Sequence, residues 1–124
     1  MSFETAGYNR RSPMLIGALG RAWLAYCSEE ERRTILRGIG ARLSPALAAL
    51  FERIRRDGFA FTQPPRPTRI HGIGVPILGK DRVLGSLSMR FPRSAMSEEA
   101  VGRRFGRRLT QVARAIAADS EISD

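Results

Sequence analysis

Apolar residues recur along this chain with two different periods, and the alternation between them predicts its elements. From Met14 to Cys27, Leu15, Leu19, Ala22, Trp23 and Tyr26 fall on one side at helical spacing. Gly17 and Gly20 break the start of that helix and permit close backbone approach. Ser28 with Glu31 three positions on forms a capping box. The helix it opens presents Ile35, Leu36, Ile39 and Leu43, and Gly38 and Gly40 mark its end. Ser44-Pro45 is a second start signal. Leu47, Leu50, Phe51 and Ile54 form the inner face that follows, with Gly58 as the C-terminal cap. The last helix opens at Ser97 with Glu98 and Glu99 in its first turn, as the helix dipole prefers. Val101, Phe105, Leu109, Val112 and Ile116 line its inner face, and Arg103, Arg107 and Arg114 lie opposite on a solvated one.

Period two governs the middle of the chain. Phe59 to Thr62 reads as a short strand, and Gln63 to Pro67 is a proline-rich loop. Arg69 to Leu78 and Val83 to Phe91 are β-patterned runs joined by Gly79-Lys80-Asp81-Arg82, a hairpin signal. Ser2 to Tyr8 carries a weak strand pattern, and Asn9 to Pro13 a turn. The fold class is therefore α+β, an antiparallel β-sheet with flanking helices. Three or four strands make a thin sheet, which invites further strands or a partner at its edge.

The hairpin carries the most chemistry. Alternation puts Ile73, Val75 and Ile77 on a packed face with Val83, Leu87 and Met89. The other face holds Gly72 and Gly74 on one strand, and Ser86, Ser88 and Arg90 on the next. A three-residue loop would set Leu78 opposite Arg82, Gly74 opposite Ser86 and Gly72 opposite Ser88. Two absent side chains beside two hydroxyls and a guanidinium would suit a small carboxylate, which Arg holds bidentately. Glycines that merely relieve strand twist on an exposed face are the equal alternative.

Composition narrows the classes. The 124 residues suffice for one domain, residues 1–124, with one hydrophobic core. No apolar run reaches the length of a membrane span, and the N-terminus has no signal-peptide core. A single cysteine, Cys27, excludes an internal disulfide framework and points to a reducing, cytoplasmic setting. The net charge is +9, and Lys80 is the one lysine among 21 basic residues. Such a balance invites an acidic partner, and a small basic nucleic-acid-binding protein is the alternative reading. The arginines are spread along the whole chain, though, without a basic run or interleaved aromatics.

Catalysis finds no assembly. His71, the only histidine, falls on the packed strand face and reads as structural. Cys27 sits among apolar residues as a buried thiol. No metal-ligand spacing and no cofactor fingerprint occurs, so neither a metal nor a cofactor is expected. The expectation is a protein that is not an enzyme.

The run from Pro13 to Ala22, PMLIGALGRA, followed by LAYCSEEE, resembles the start of the long helix in the effector-binding domain of IclR-type regulators. Ile54 to Ala60, IRRDGFA, is similar to the family's IRERGYA. Ile73 to Ile77 is similar to VAAPV, and Val83 to Met89 to VVAALSVS. The resemblance spans nearly all of residues 12 to 120 through the order and spacing of these segments. It implies a GAF-like, partial profilin-like fold that binds a small metabolite and forms a dimer or tetramer. It also implies operator DNA binding by a winged helix-turn-helix domain that has no counterpart in this sequence, so that the chain is a fragment of the regulator, and no membrane partner. Family effector contacts map onto Ala18, Leu19, Thr62, Ile70, Gly72, Ser88 and Arg90. Thr62 stands where the family often has an acid, and Arg90 where serine is common; through the resemblance both changes imply an anionic effector, a carboxylate such as an aromatic acid.

Overall fold

The computed structural model describes residues 13–62, 70–92, 94 and 96–123. The Ser2–Tyr8 strand and the Gln63–Pro67 loop lie outside them, as does the Asn9 turn up to Pro13, which itself begins a helix. The element order is α1 (Pro13–Ile16), α2 (Ala18–Tyr26), α3 (Glu29–Gly38), α4 (Pro45–Asp57), β1 (Ala60–Phe61), β2 (Ile70–Leu78), β3 (Val83–Pro92) and α5 (Glu98–Ser123). The strands form one antiparallel sheet in the order β1-β2-β3. This is the α+β class expected from the pattern.

Glycine divides the first helix. Gly17 is extended, with φ −79° and ψ 152°, so α1 is a single turn folded against α2. The fold-back needs Gly20, where a Cβ would lie 2.4 Å from the Met14 Cα. It also rotates α2 away from the predicted stripe. Ala18, Ala22, Leu24 and Ala25 are buried, whereas Leu19 is 47% exposed. Small side chains win because α2 is pressed from two sides, by the sheet and by α4.

Capping fixes the remaining helices. Ser28 Oγ accepts the Glu31 N–H at 3.1 Å, and the Glu31 carboxylate accepts Trp23 Nε1–H at 3.2 Å. Arg32 donates to the Leu24, Ala25 and Cys27 carbonyls at 2.7, 3.2 and 3.0 Å, and Arg55 to Ala25 O at 2.8 Å. Two guanidinium groups thereby satisfy the C-terminal end of α2, where the dipole is negative. Ser44 Oγ caps α4 by accepting the Leu47 N–H at 3.1 Å, and Gly58 ends that helix at φ +90°.

Helices cover both sides of the sheet. Val75 and Ile77 pack against Ala113 and Ala117 of α5, and Ile73 and Phe91 against Val101. The opposite face meets α2. The hairpin register departs from the expected one: Gly72 pairs with Arg90, Gly74 with Ser88 and Pro76 with Ser86. Leu78 lies opposite Val83, and a bulge between Ile77 and Leu78 takes up one residue. Val83 consequently turns into the α2-side cluster with Ala22 and Leu24, while Leu84 joins the α5 side. On α5 the inner face runs through alanines, leaving Val112 44% and Ile116 37% exposed. Phe59 seats its ring on Gly102 and Gly106, where added Cβ atoms would come within 2.8 and 2.9 Å of it. Among the described residues no helix is long and apolar enough to cross a membrane, and no three His, Cys, Asp or Glu are grouped to hold a metal.

Candidate functional site

A cavity of about 510 Å³ opens between the start of α2 and the ends of β2 and β3. Ala18, Leu19, Thr62, Gly72, Ser88 and Arg90 line it. These are six of the seven positions marked in the sequence. The seventh, Ile70, is described by its backbone alone, in β2 opposite Pro92.

The wall contributed by the helix is its N-terminus. Gly17 at the N-cap offers no side chain, so no side-chain oxygen caps α2, and the first turn contains no acidic residue. Ala18, Leu19 and Gly20 occupy the first three helical positions, whose N–H groups have no partner within the helix. All three line the cavity. A nine-residue helix thus presents its positive end to an open space, an arrangement that favours an anion.

Arg21 holds this turn in place. Its Nε donates to Leu15 O at 2.7 Å and its Nη1 to Phe61 O at 3.2 Å, tying α1 to β1. Burial lowers the Arg21 pKa; Glu98 opposes that shift and Arg53 adds to it. The side chain remains a cation at any physiological pH.

The sheet wall behaves differently from the expectation. Gly74 does not widen the cavity: a Cβ there would lie 2.7 Å from Ala18 O and 2.9 Å from Ala18 C. Its missing side chain lets the helix start rest directly on the strand. At Gly72 a Cβ would lie 2.8 Å from Thr62 Oγ1, so the threonine hydroxyl already occupies much of the space the glycine leaves. Ser86 is committed to structure, donating from Oγ to Leu19 O at 3.0 Å. Ser88 and Arg90 face the cavity with Gly72. Arg90 is exposed at the rim, and among the described residues no carboxylate pairs with it. Among the described residues no carboxylate lines the cavity either.

His71 closes the floor from below. It is 3% exposed, and its Nε2 lies 2.7 Å from Thr62 O and 3.0 Å from Glu98 Oε2. Its ring lies between Phe61 and Phe91, with centroids 6.0 and 5.4 Å away. Thr62 N–H also donates to Gly72 O at 3.0 Å, so Thr62 is fixed at both backbone groups. The histidine is therefore structural, holding the strand end that carries Thr62. Cys27 is buried, and burial raises its thiol pKa against the opposing pull of Arg32. Among the described residues the Cys27 thiol bonds to the Leu24 carbonyl and the His71 ring meets Thr62 O and Glu98, and neither contact is a nucleophile–base pair.

Strand alternation marks the hairpin side of the cavity, whereas the uncapped helix start lies outside that pattern. Its signal is present: no Ser, Thr, Asp or Asn precedes Ala18, and Gly17 stands at the cap position.

Comparison with known proteins gives one family match, one related sequence and three related structures. Residues 4–118 match the family model described as the bacterial transcriptional regulator IclR C-terminal. The chain is 27% identical over 99 residues to the HTH-type transcriptional regulator KdgR of Escherichia coli, covering 73% of this chain and 38% of KdgR. The crystal structure of the KdgR C-terminal domain superposes with a TM-score of 0.72 at 26% identity, over 86% of this chain and 70% of that one. The C-terminal domain of a transcriptional regulator from Vibrio cholerae gives a TM-score of 0.71 at 30% identity, over 84% of this chain and 64% of that one. The inducer-binding domain of the Acinetobacter transcription factor PobR, as a double mutant in complex with 3-hydroxybenzoic acid, gives 0.68 at 14% identity, over 93% and 74%. The chain thus spans well under half the length of the curated relative it matches, and about two-thirds of the isolated Vibrio domain.

Proposed function

The chain belongs to the IclR family of bacterial transcriptional regulators, within their C-terminal domain, and on that premise we propose that its α2–hairpin cavity binds a small carboxylate effector. The family is one of regulators and not of enzymes. One observation carries the carboxylate: a single cavity combines an uncapped helix N-terminus, the unpaired Arg90 and no acidic side chain. The effector's carboxylate docks between the N–H groups of residues 18–20 and the Arg90 guanidinium, with Ser88 as a further donor. Leu19, Met14 and Ala18 supply apolar walls for its body. An aromatic acid suits those walls, and the PobR domain, which shares the fold, was crystallised with one.

Binding acts on the regulator through a difference in affinity between two arrangements of paired domains. Coupling of roughly 1–3 kcal/mol is usual for such control. The effector bridges α2 to β3, and the domain oligomer passes that change to operator-binding heads elsewhere in the regulator.

The test is isothermal titration of the chain with benzoate, 3-hydroxybenzoate and short aliphatic acids, repeated with Arg90→Ala. The expected result is saturable binding of one acid class, of which Arg90→Ala removes one binding event while the unfolding midpoint stays within about 2 °C, as fits an exposed residue. Unchanged affinity in Arg90→Ala would remove the arginine from the site. Binding to duplex DNA alone, lost as salt rises, would favour the basic nucleic-acid binder instead.

A further inference from the structure

A second cavity, of about 320 Å³, lies at the end of α3. The end of α3 builds it. Gly40 takes φ +73°, which lets the Gly40 N–H donate to Arg37 O at 3.1 Å and the Ala41 N–H to Leu36 O at 2.8 Å. This is a Schellman motif, and it folds the chain back so that Ala41 meets Leu36. Leu36, Ala41 and the 47%-exposed Leu43 make an apolar floor.

Arg33, Arg37 and Arg42 surround that floor. Arg33 and Arg37 stand one helical turn apart, where like charges repel, and the Gly40 turn adds the third guanidinium. Among the described residues none of the three makes an ion pair or a side-chain hydrogen bond. The neighbouring Arg32 is different: its donors are spent on the end of α2, and its guanidinium lies 5.5 Å from the Phe51 ring centroid. One acid, Glu29, reaches the rim. Three uncompensated cations against one carboxylate, around an apolar floor, describe the complement of an amphipathic anion.

We propose that the Schellman cleft at the end of α3 is a second binding site, for a small organic acid with an apolar body. The carboxylate sits among Arg33, Arg37 and Arg42, and the body rests on Leu36, Ala41 and Leu43. The site shares no residue with the α2–hairpin cavity, so it stands whether or not that cavity binds an effector.

Amide chemical-shift titration of the ¹⁵N-labelled chain with hexanoate and benzoate tests this. Acetate, inorganic phosphate and benzyl alcohol serve as probes lacking the body, the body or the charge. The expected result is saturable shifts at residues 33–43 with hexanoate or benzoate, at least about tenfold weaker for the other three. The same shifts persist in Arg90→Ala, and weaken about tenfold or more in Arg37→Gln/Arg42→Gln, whose side chains are exposed. Leu43→Asp, also at an exposed position, weakens them without touching a cation. Shifts confined to residues 14–20 and 72–90, equal response to phosphate, or saturation unaltered in the double variant would each overturn the proposal. So would displacement of the acids by duplex DNA at moderate salt, which would make the cleft part of a nucleic-acid surface.

Discussion

Gly74→Ala isolates the contact that sets the helix start on the sheet. The added Cβ would sit 2.7 Å from Ala18 O, 2.9 Å from Ala18 C and 3.1 Å from Ala18 Cβ. The first two are backbone atoms, so no rotamer change relieves them; α2 must lift by roughly half an ångström or more to regain carbon contact distances. Overpacking of this kind costs about 1–3 kcal/mol, offset by about 0.4–1 kcal/mol from reduced chain entropy in the unfolded state. Unfolding entropy of about 2.1 cal/mol/K per residue gives roughly 260 cal/mol/K for a chain of 124 residues, hence about 4 °C per kcal/mol. The midpoint in a thermal scan by circular dichroism should fall, by up to about 10 °C. Gly85→Ala is the control, because its Cβ would meet only Ile77 Cδ1 at an ordinary 3.7 Å. Equal stability of the two variants would refute the close-approach reading. Lifting α2 also moves residues 18–20, so acid affinity should weaken in Gly74→Ala and not in Gly85→Ala.

Other consequences follow from the same geometry. Gly72→Ala meets a movable hydroxyl, Thr62 Oγ1, so its midpoint should change by less than that of Gly74→Ala while acid binding weakens; a titration and a melt on one sample separate the two. Arg32→Met strips three charge-assisted bonds from the end of α2 and should cost about 1.5–3 kcal/mol or more by urea unfolding, exceeding Ser28→Ala at about 1 kcal/mol. Burial raises the pKa of both Cys27 and Tyr26, so the folded state binds more protons than the unfolded one at alkaline pH. Stability contributed by these groups is complete below their unfolded pKa values and is lost as pH rises through the folded ones, so the midpoint should fall above ~pH 8.5. The fall should be shallower in Cys27→Ala/Tyr26→Phe than in the unmodified chain.

Local signals determined much of this protein from the sequence alone. Ser28, Ser44, Gly40 and Gly58 announce helix ends through side-chain oxygens and left-handed φ, which act over one turn and need no tertiary partner. The β-hairpin was legible for the same reason, from alternation over nine or ten residues. Of the six marked positions around the cavity, strand alternation put Gly72, Ser88 and Arg90 on one face, whereas Ala18, Leu19 and Thr62 were marked only through the family resemblance. Tertiary structure decided the rest. The register was set by the Ile77–Leu78 bulge, which pairs Gly72 with Arg90 and sends Val83 to the other side. A bulge leaves no mark in an apolar alternation, since it moves one residue and keeps the composition. Periodicity misassigned Leu19, Val112 and Ile116 to the interior, because close packing, of α2 between the sheet and α4 and of α5 on the sheet, selected alanines over the larger residues one position away. The uncapped start of α2 belongs to both levels. Gly17 is visible in the chain, but that the helix end opens into a cavity with Arg90 follows only from α2 resting on Gly74, a contact between residues far apart in sequence.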